Sequence, residues 1–262
     1  MDTQASLNAK LREMVQEGNS NKVLDTGEDI AVLIGGGTGV SLMIEGIKEE
    51  GSLLPISITG MHDHGGRSKI LRDIHGTLPP GDFIRAVLAH QKSSEEVEQR
   101  RRELLSFAYP DDGSPFAKYT GAHVLFAFCE KLWKRAGAVK IFPRLWGEMR
   151  GWPYPATIND VELAVKLSDG RIIVGEGEID LRDKHDPAFI VDHWLESKKG
   201  VMAYTPAIEA ITHKNTRLIV LTMGDFYTSR MGILAVPLLC DAIRAAPHAK
   251  LVCWLNLMEK KA

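Results

Sequence analysis

The run Ile30-Ala31-Val32-Leu33-Ile34, followed at once by Gly35-Gly36-Gly37-Thr38-Gly39, constrains the fold more than any other stretch of this chain. Five apolar residues without alternation predict a strand buried on both faces, and such strands belong to parallel sheets covered by helices. After the glycines, Leu42, Ile44 and Ile47 interleave with Glu45, Lys48 and Glu49, which predicts an amphipathic helix. Strand, glycine turn and helix N-terminus together make a place for an anion. Backbone N–H groups at Gly35, Gly36, Gly37 and Gly39 approach a phosphate closely where no Cβ intervenes, and the hydroxyls of Thr38 and Ser41 add donors. A tight β–α turn that binds nothing has the same pattern.

Missing residues narrow the kind of site. A nucleotide-hydrolysing P-loop needs Lys directly before its Ser or Thr, and Val40 stands before Ser41. The dinucleotide fingerprint needs a small residue three places after its second glycine, where this chain has Val40 or Leu42. NAD is therefore not expected. The cysteines Cys129, Cys240 and Cys253 stand far apart and form no C-x-x-C pair, so disulfides and a thiolate zinc site are not expected, and neither is haem. A net charge of -2 over 262 residues supplies no basic field for nucleic acid. No apolar run approaches the roughly 20 residues that span a bilayer, and the polar N-terminus lacks a signal-peptide core. The expectation is a soluble, cytoplasmic protein.

Residues 1–28 read as an N-terminal extension, with Leu7, Leu11, Met14 and Val15 at helical spacing, and residues 29–262 as a single domain. A second strand over 53–59 delivers a loop containing Asp63, Gly65, Gly66, Arg67 and Ser68. His62, Asp63 and His64 are consecutive and do not converge easily on one metal. Pro79-Pro80-Gly81 forces a turn after which Asp82 reads as the N-cap of a helix over 83–91, with Arg85 one turn in. Residues 94–106 read as a charged helix face and 122–132 as a buried helix, whereas the aromatic stretch 142–155 gives no assignable element. A hairpin over 161–174 turns at Asp169-Gly170. Glu176, Glu178 and Asp180 alternate like one polar strand face. A helix opens near Pro206, and a buried strand over 217–222 ends in a loop with Gly224, Asp225, Tyr227, Thr228 and Ser229. There Tyr227 offers a ring and a hydroxyl to a base or sugar, or else Asp225 and Ser229 only cap the next helix. That helix is expected over 232–245, and a last strand over 251–257.

Three polar loops thus follow three expected parallel strands and emerge at one sheet edge, since parallel strands share a carboxyl end. The fold class is α/β: a Rossmann-like, mostly parallel sheet flanked by helices, with a small antiparallel hairpin layer.

At these loops the chain resembles the CofD/YvcK-like family, which comprises 2-phospho-L-lactate transferases and gluconeogenesis factors that bind UDP-sugars. The matching runs are Gly35 to Gly39, Gly65-Gly66, Pro79-Pro80-Gly81-Asp82 with Arg85, and Asp169-Gly170 with Gly175-Glu176. Tyr204-x-Pro206 with Ala210-Ile211, Gly224-Asp225-Phe226-Tyr227-Thr228-Ser229, and Asn256-Leu257-Met258 complete the order. The resemblance implies a nucleotide or nucleotide-sugar ligand in a strand-tip cleft and, in the transferases, Mg²⁺, for which Asp63 is the candidate ligand. Departures accompany it. Asp63-His64 stands where the family has two aspartates, Arg67-Ser68 where it has two serines, and Ala86 follows Arg85 where it has Asn. Gly121-Ala122-His123 replaces a Gly-Asn motif, and the family continues well beyond the Asn-Leu-Met run. The expected function is a regulatory factor that binds a nucleotide or UDP-sugar. A phospholactyl transferase and a degenerate scaffold are the alternatives, and homodimer formation is left open.

Overall fold

A computed structural model describes residues 23–63, 66–92, 96, 99–100, 103, 106–113, 117, 119–183 and 185–255. The expected helix in 1–22 and the Asn256-Leu257-Met258 run lie outside them, as do His64 and Gly65. Strand β1 (Ile30–Ile34) is buried at every residue, as its unbroken apolar run requires. Helix α1 (Gly37–Glu50) follows and ends at Gly51 in the left-handed conformation. It turns Val40 and Ile44 inward and leaves Leu42 exposed, so Leu42 is not on the buried face expected of it. Strand β2 (Leu54–Thr59) is wholly buried too. Two helices come next, α2 (Gly66–His75) and α3 (Gly81–His90).

Helix α4 (Gly121–Ile141) opens at Thr120, whose hydroxyl accepts from the His123 N–H, and it kinks at Lys134. The stretch 142–155, unassignable from sequence, is a 3₁₀ turn (Phe142–Trp146) and then strand β3 (Trp152–Pro155). Phe83, Phe126, Phe142 and Trp146 stack edge to face at 5.4–6.0 Å, which explains the aromatic richness there as core. Pro153 and Pro155 argue against a central strand, and among the described residues β3 is an edge strand paired to β2 alone, where a missing N–H is tolerated.

The expected hairpin is strands β4 (Glu162–Leu167) and β5 (Ile172–Val174), and β6 (Ile190–Glu196) completes a three-stranded antiparallel sheet in the order β5-β4-β6. Glu176, Glu178 and Asp180 do not form a strand face. They lie on the short helix α5 (Glu176–Asp180), which starts at Gly175 with φ +100°. Helix α6 (Thr205–Thr212) carries Pro206 in its first turn and leads to β7 (Thr216–Leu221). The long helix expected over 232–245 is broken. A π-turn (Phe226–Met231) runs into α7 (Gly232–Leu234), the chain turns at Pro237 and Leu238, and α8 (Leu239–Arg244) follows before β8 (Lys250–Cys253). Pro237 cannot continue a helix, because its ring excludes the hydrogen bond and crowds the preceding turn.

The main sheet has the order β3-β2-β1-β7-β8 with every pair parallel. The chain leaves β1 for β2 on one side and reaches β7 only much later, on the other. The order of connection therefore reverses between β1 and β7, and ligands of open α/β sheets sit outside the carboxyl ends of the strands at such a point.

Candidate functional site

Three loops leave the adjacent strands β2, β1 and β7 at their carboxyl ends: residues 60–63, 35–39 and 222–229. Backbone bonds join the tips, since the Gly35 N–H donates to the Ile58 carbonyl (3.1 Å) and the Thr222 N–H to the Ile34 carbonyl (2.9 Å).

The glycines of the first loop are explained mainly by the chain's own close approaches. A Cβ at Gly35 would lie 1.9 Å from Thr222 Oγ1, one at Gly36 1.9 Å from Asp82 Oδ2, and one at Gly39 2.1 Å from the Met223 carbonyl oxygen. Gly37 has φ +61°, which favours glycine for its backbone alone. Its N–H is taken, because it donates to Asp82 Oδ1 at 2.8 Å. Asp82 is therefore not the N-cap read from the sequence. Helix α3 begins two residues earlier, at Gly81, with Pro80 in the cap position and no side-chain cap, and the Asp82 carboxyl reaches across to the first loop instead. Thr38 is exposed, whereas the Ser41 hydroxyl donates to the Gly37 carbonyl (3.3 Å).

Asp63 and Asp82 come together. Burial pushes the Asp82 carboxyl above the ordinary carboxylate range, and the charge of Asp63 pushes it further; the Gly37 N–H, His62 and Arg85 pull it back. A Cβ at Gly81 would meet Asp63 Oδ2 at 2.7 Å and Ser68 Oγ at 3.0 Å, so a glycine there lets both side chains lie against the turn. The loop bearing Asp82 is itself held by Glu130, whose carboxylate accepts from the Leu78 N–H (2.9 Å) and from Arg135 Nε (3.1 Å). Exposed Arg85 lies with Nη1 3.6 Å from where a Gly37 Cβ would stand, and it forms no hydrogen bond or ion pair among the described residues. Gly66 opens α2, and Arg67 follows in the same helix.

In the third loop, Asp225 Oδ1 accepts from the N–H groups of Tyr227 and Thr228 at 3.0 Å each, so its carboxylate does cap. Tyr227 is half-buried with its ring 5.1 Å from that of Phe226. The Ser229 N–H donates to the Asp225 carbonyl (3.3 Å). Thr228 points inward, 2% exposed, with its hydroxyl donating to Asp180 Oδ1 (3.5 Å). Gly224 has φ +152°, and a Cβ there would stand 3.2 Å from Ser229 Cβ.

Several residues at this edge were not among the sequence candidates. His62 donates through Nε2 to the Thr228 carbonyl (2.7 Å) and fixes the second loop to the third. Glycine at 60 and at 232 makes room for its ring, since a Cβ at either would fall 2.5 Å from it. Thr222 and Met223 fill the space that Gly35 and Gly39 leave open. Arg230 is almost wholly buried beneath the third loop. A histidine at a strand tip and a lone arginine within a glycine-and-hydroxyl loop were the visible signals, but their contacts lie 166 and 24 residues away in the chain.

Chemically, the edge offers an exposed guanidinium beside a helix N-terminus, with two carboxylates next to it. The first pair suits an anion. The second suits a hard cation that keeps several waters and takes phosphate oxygens, as Mg²⁺ does with one or two carboxylates. Among the described residues no group of three or more His, Cys, Asp or Glu gathers as a metal centre, and no helix is long and apolar enough to cross a membrane.

The profile of a family described as 2-phospho-L-lactate transferase CofD matches residues 31–262. Among curated proteins, the gluconeogenesis factor of Listeria monocytogenes is 30% identical over 219 residues, which cover 84% of this chain and 64% of that one. A putative gluconeogenesis factor of Thermoanaerobacterium thermosulfurigenes is 31% identical over 239 residues, 87% of this chain and 68% of its own. The chain thus spans less than two thirds of the length of the Listeria relative. A crystal structure of a Bacillus halodurans protein superposes with a TM-score of 0.74 at 26% identity, over 86% of this chain and 68% of that one. A second structure, described as a UPF0052 family member from the same organism, gives the same TM-score at 24% identity and shows the shared fold.

Proposed function

Because this chain belongs to the CofD family, we propose that it binds a nucleotide or nucleoside-diphosphate sugar at the carboxyl edge of its sheet, between β1 and β7, as a metabolic regulatory factor. Arg85 carries the reading: an exposed guanidinium, with no hydrogen bond or ion pair among the described residues, lies over Gly37 at the start of α1. A guanidinium fork beside first-turn amides is a general recognition device for phosphate. Tyr227 is the candidate for the base or sugar, and Thr38 for a further phosphate oxygen. The gluconeogenesis-factor names of the relatives support the regulatory role.

Asp63 and Asp82 would hold Mg²⁺, which when bound neutralises the charge of a diphosphate. His64 stands beside Asp63 where the family has its second aspartate, and Asp82 brings a carboxyl up to Asp63 from another loop. That pairing favours a second reading, a transferase that moves a phospholactyl group from a nucleotide to a hydroxylated acceptor. There Arg85 would orient the phosphates, and the loops would exclude water from the transferred group.

Thermal-shift and calorimetric titration with UDP, GDP and UDP-sugars, each with and without Mg²⁺, tests both. Selective tightening by a UDP-sugar with no turnover supports the regulatory factor. Strict Mg²⁺ dependence together with transfer to an added acceptor supports the enzyme. No response to any nucleotide, with Arg85→Ala indistinguishable from the native protein, rejects the site.

A further inference from the structure

Arg230 stands at the inner side of the third loop, only 4% exposed. Its Nη2 donates to the Gly224 carbonyl (3.1 Å), and its Nη1 donates to the Trp254 carbonyl (3.2 Å) and lies 3.8 Å from Cys253 Sγ. The Phe226 ring covers the guanidinium at 5.4 Å. Among the described residues no carboxylate pairs with it, and its buried Nε has no acceptor. A buried cation satisfied only by neutral dipoles is costly, and that cost falls when an anion rests within reach of its field.

The two carbonyls it holds belong to neighbouring strand tips, that of β7 at Gly224 and that of β8 at Trp254. A planar trans peptide points its C=O and the following N–H in opposite directions. Holding the Gly224 carbonyl at Arg230 therefore fixes the plane of the 224–225 peptide, with the Asp225 N–H pointing away from the guanidinium. Gly224 itself has φ +152°, a value that side-chain-bearing residues rarely adopt.

We propose that Arg230 is a positioning residue of the nucleotide site, clamping the β7 and β8 tips so that the third loop faces the cleft, and adding an uncompensated positive charge behind it. This rests on the nucleotide reading above. The test compares the native protein with Arg230→Met, which keeps an unbranched apolar side chain without the charge, and Arg230→Lys, which keeps charge but cannot fork between two carbonyls. Two readouts are taken: UDP affinity by calorimetry with Mg²⁺ present, and amide hydrogen exchange without nucleotide. UDP affinity should fall at least about tenfold in Arg230→Met and at least about threefold in Arg230→Lys. Amides of 225–229 should exchange several-fold faster in both, with those of β1 unchanged. Native affinity and native exchange in the variants, even with a lowered melting point, would overturn the proposal. If the native protein binds no UDP, the nucleotide reading fails by itself, and exchange still decides the clamp: faster exchange confined to 225–229 upholds it, unchanged exchange rejects it. Should Arg230→Met not fold, Arg230→Lys carries both readouts.

Discussion

Gly39 and Gly37 sit two residues apart in one loop and are glycine for different reasons. At Gly39 a Cβ would fall 2.1 Å from the backbone oxygen of Met223, which cannot move without shifting the tip of β7. At Gly37 the nearest atom to a Cβ is the end of the Arg85 side chain at 3.6 Å, and only φ +61° resists substitution. Gly37→Ala should therefore cost about 1–2 kcal/mol, the price of a left-handed residue. Gly39→Ala should cost more, about 3 kcal/mol, the upper part of the overpacking range. Urea unfolding of the two variants checks the order, and equal costs would show that the β1 and β7 tips are not packed as tightly as described. Asp82 shows the same lesson for a side chain. Its position after Pro-Pro-Gly satisfies every local rule for an N-cap, yet its carboxylate is used by Gly37, 45 residues upstream.

At the scale of elements, the break between α7 and α8 is the clearest departure from the pattern in the chain. Apolar residues recur at helical spacing through 232–245, but Pro237 ends the run and Leu238 must take φ +69°. Leu238 is 63% exposed, so its side chain contributes little burial to offset that strain. Leu238→Gly should raise stability by about 0.5–1 kcal/mol, the left-handed strain relieved less the added freedom of the unfolded chain. A loss of stability on urea unfolding would mean that the leucine packs on something. Other elements are joined by single polar groups placed where helix ends leave carbonyls unpaired. Lys48 of α1 donates to the Ala89 and Gln91 carbonyls at the end of α3 (2.6 and 2.7 Å), where the helix dipole also favours a cation.

Across the whole molecule, His90 joins three parts that the sequence keeps apart. Its ring is fully buried, donates through Nδ1 to the Arg150 carbonyl (2.9 Å) ahead of β3, and accepts at Nε2 from the Ser57 hydroxyl of β2 (3.0 Å). Burial, aided by the charge of Lys48, holds its pKa down to about 3 against an ordinary 6.5, and the bond to Arg150 only partly opposes this. The folded protein therefore keeps this histidine neutral while the unfolded chain protonates it. The resulting stability is fully present above about pH 6.5 and is lost as pH falls toward 3, with a slope of at most about 1.4 kcal/mol per pH unit from this one group. Unfolding free energies from pH 7 to 4 should fall more steeply in the native protein than in His90→Gln. Parallel curves would show that the ring takes up a proton without unfolding.

By itself the sequence determined the elements whose cause is local. The unbroken apolar run made β1 a doubly buried strand, and Asp169-Gly170 made the hairpin turn. The glycine-rich loops after β1, β2 and β7 marked one sheet edge, because strands buried on both faces are parallel and share a carboxyl end. Family membership was legible for the same reason, through short runs in a fixed order. Tertiary structure alone decided which of those loop residues meet. Asp82 joining Gly37, His62 joining Thr228, Arg230 reaching Trp254, and β3 adding two prolines to a sheet edge are all long-range pairings. A carboxylate, an imidazole or a guanidinium satisfies a local cap and a distant backbone group with the same chemistry. Only the packing of the sheet and its helices determines which partner lies within hydrogen-bond reach.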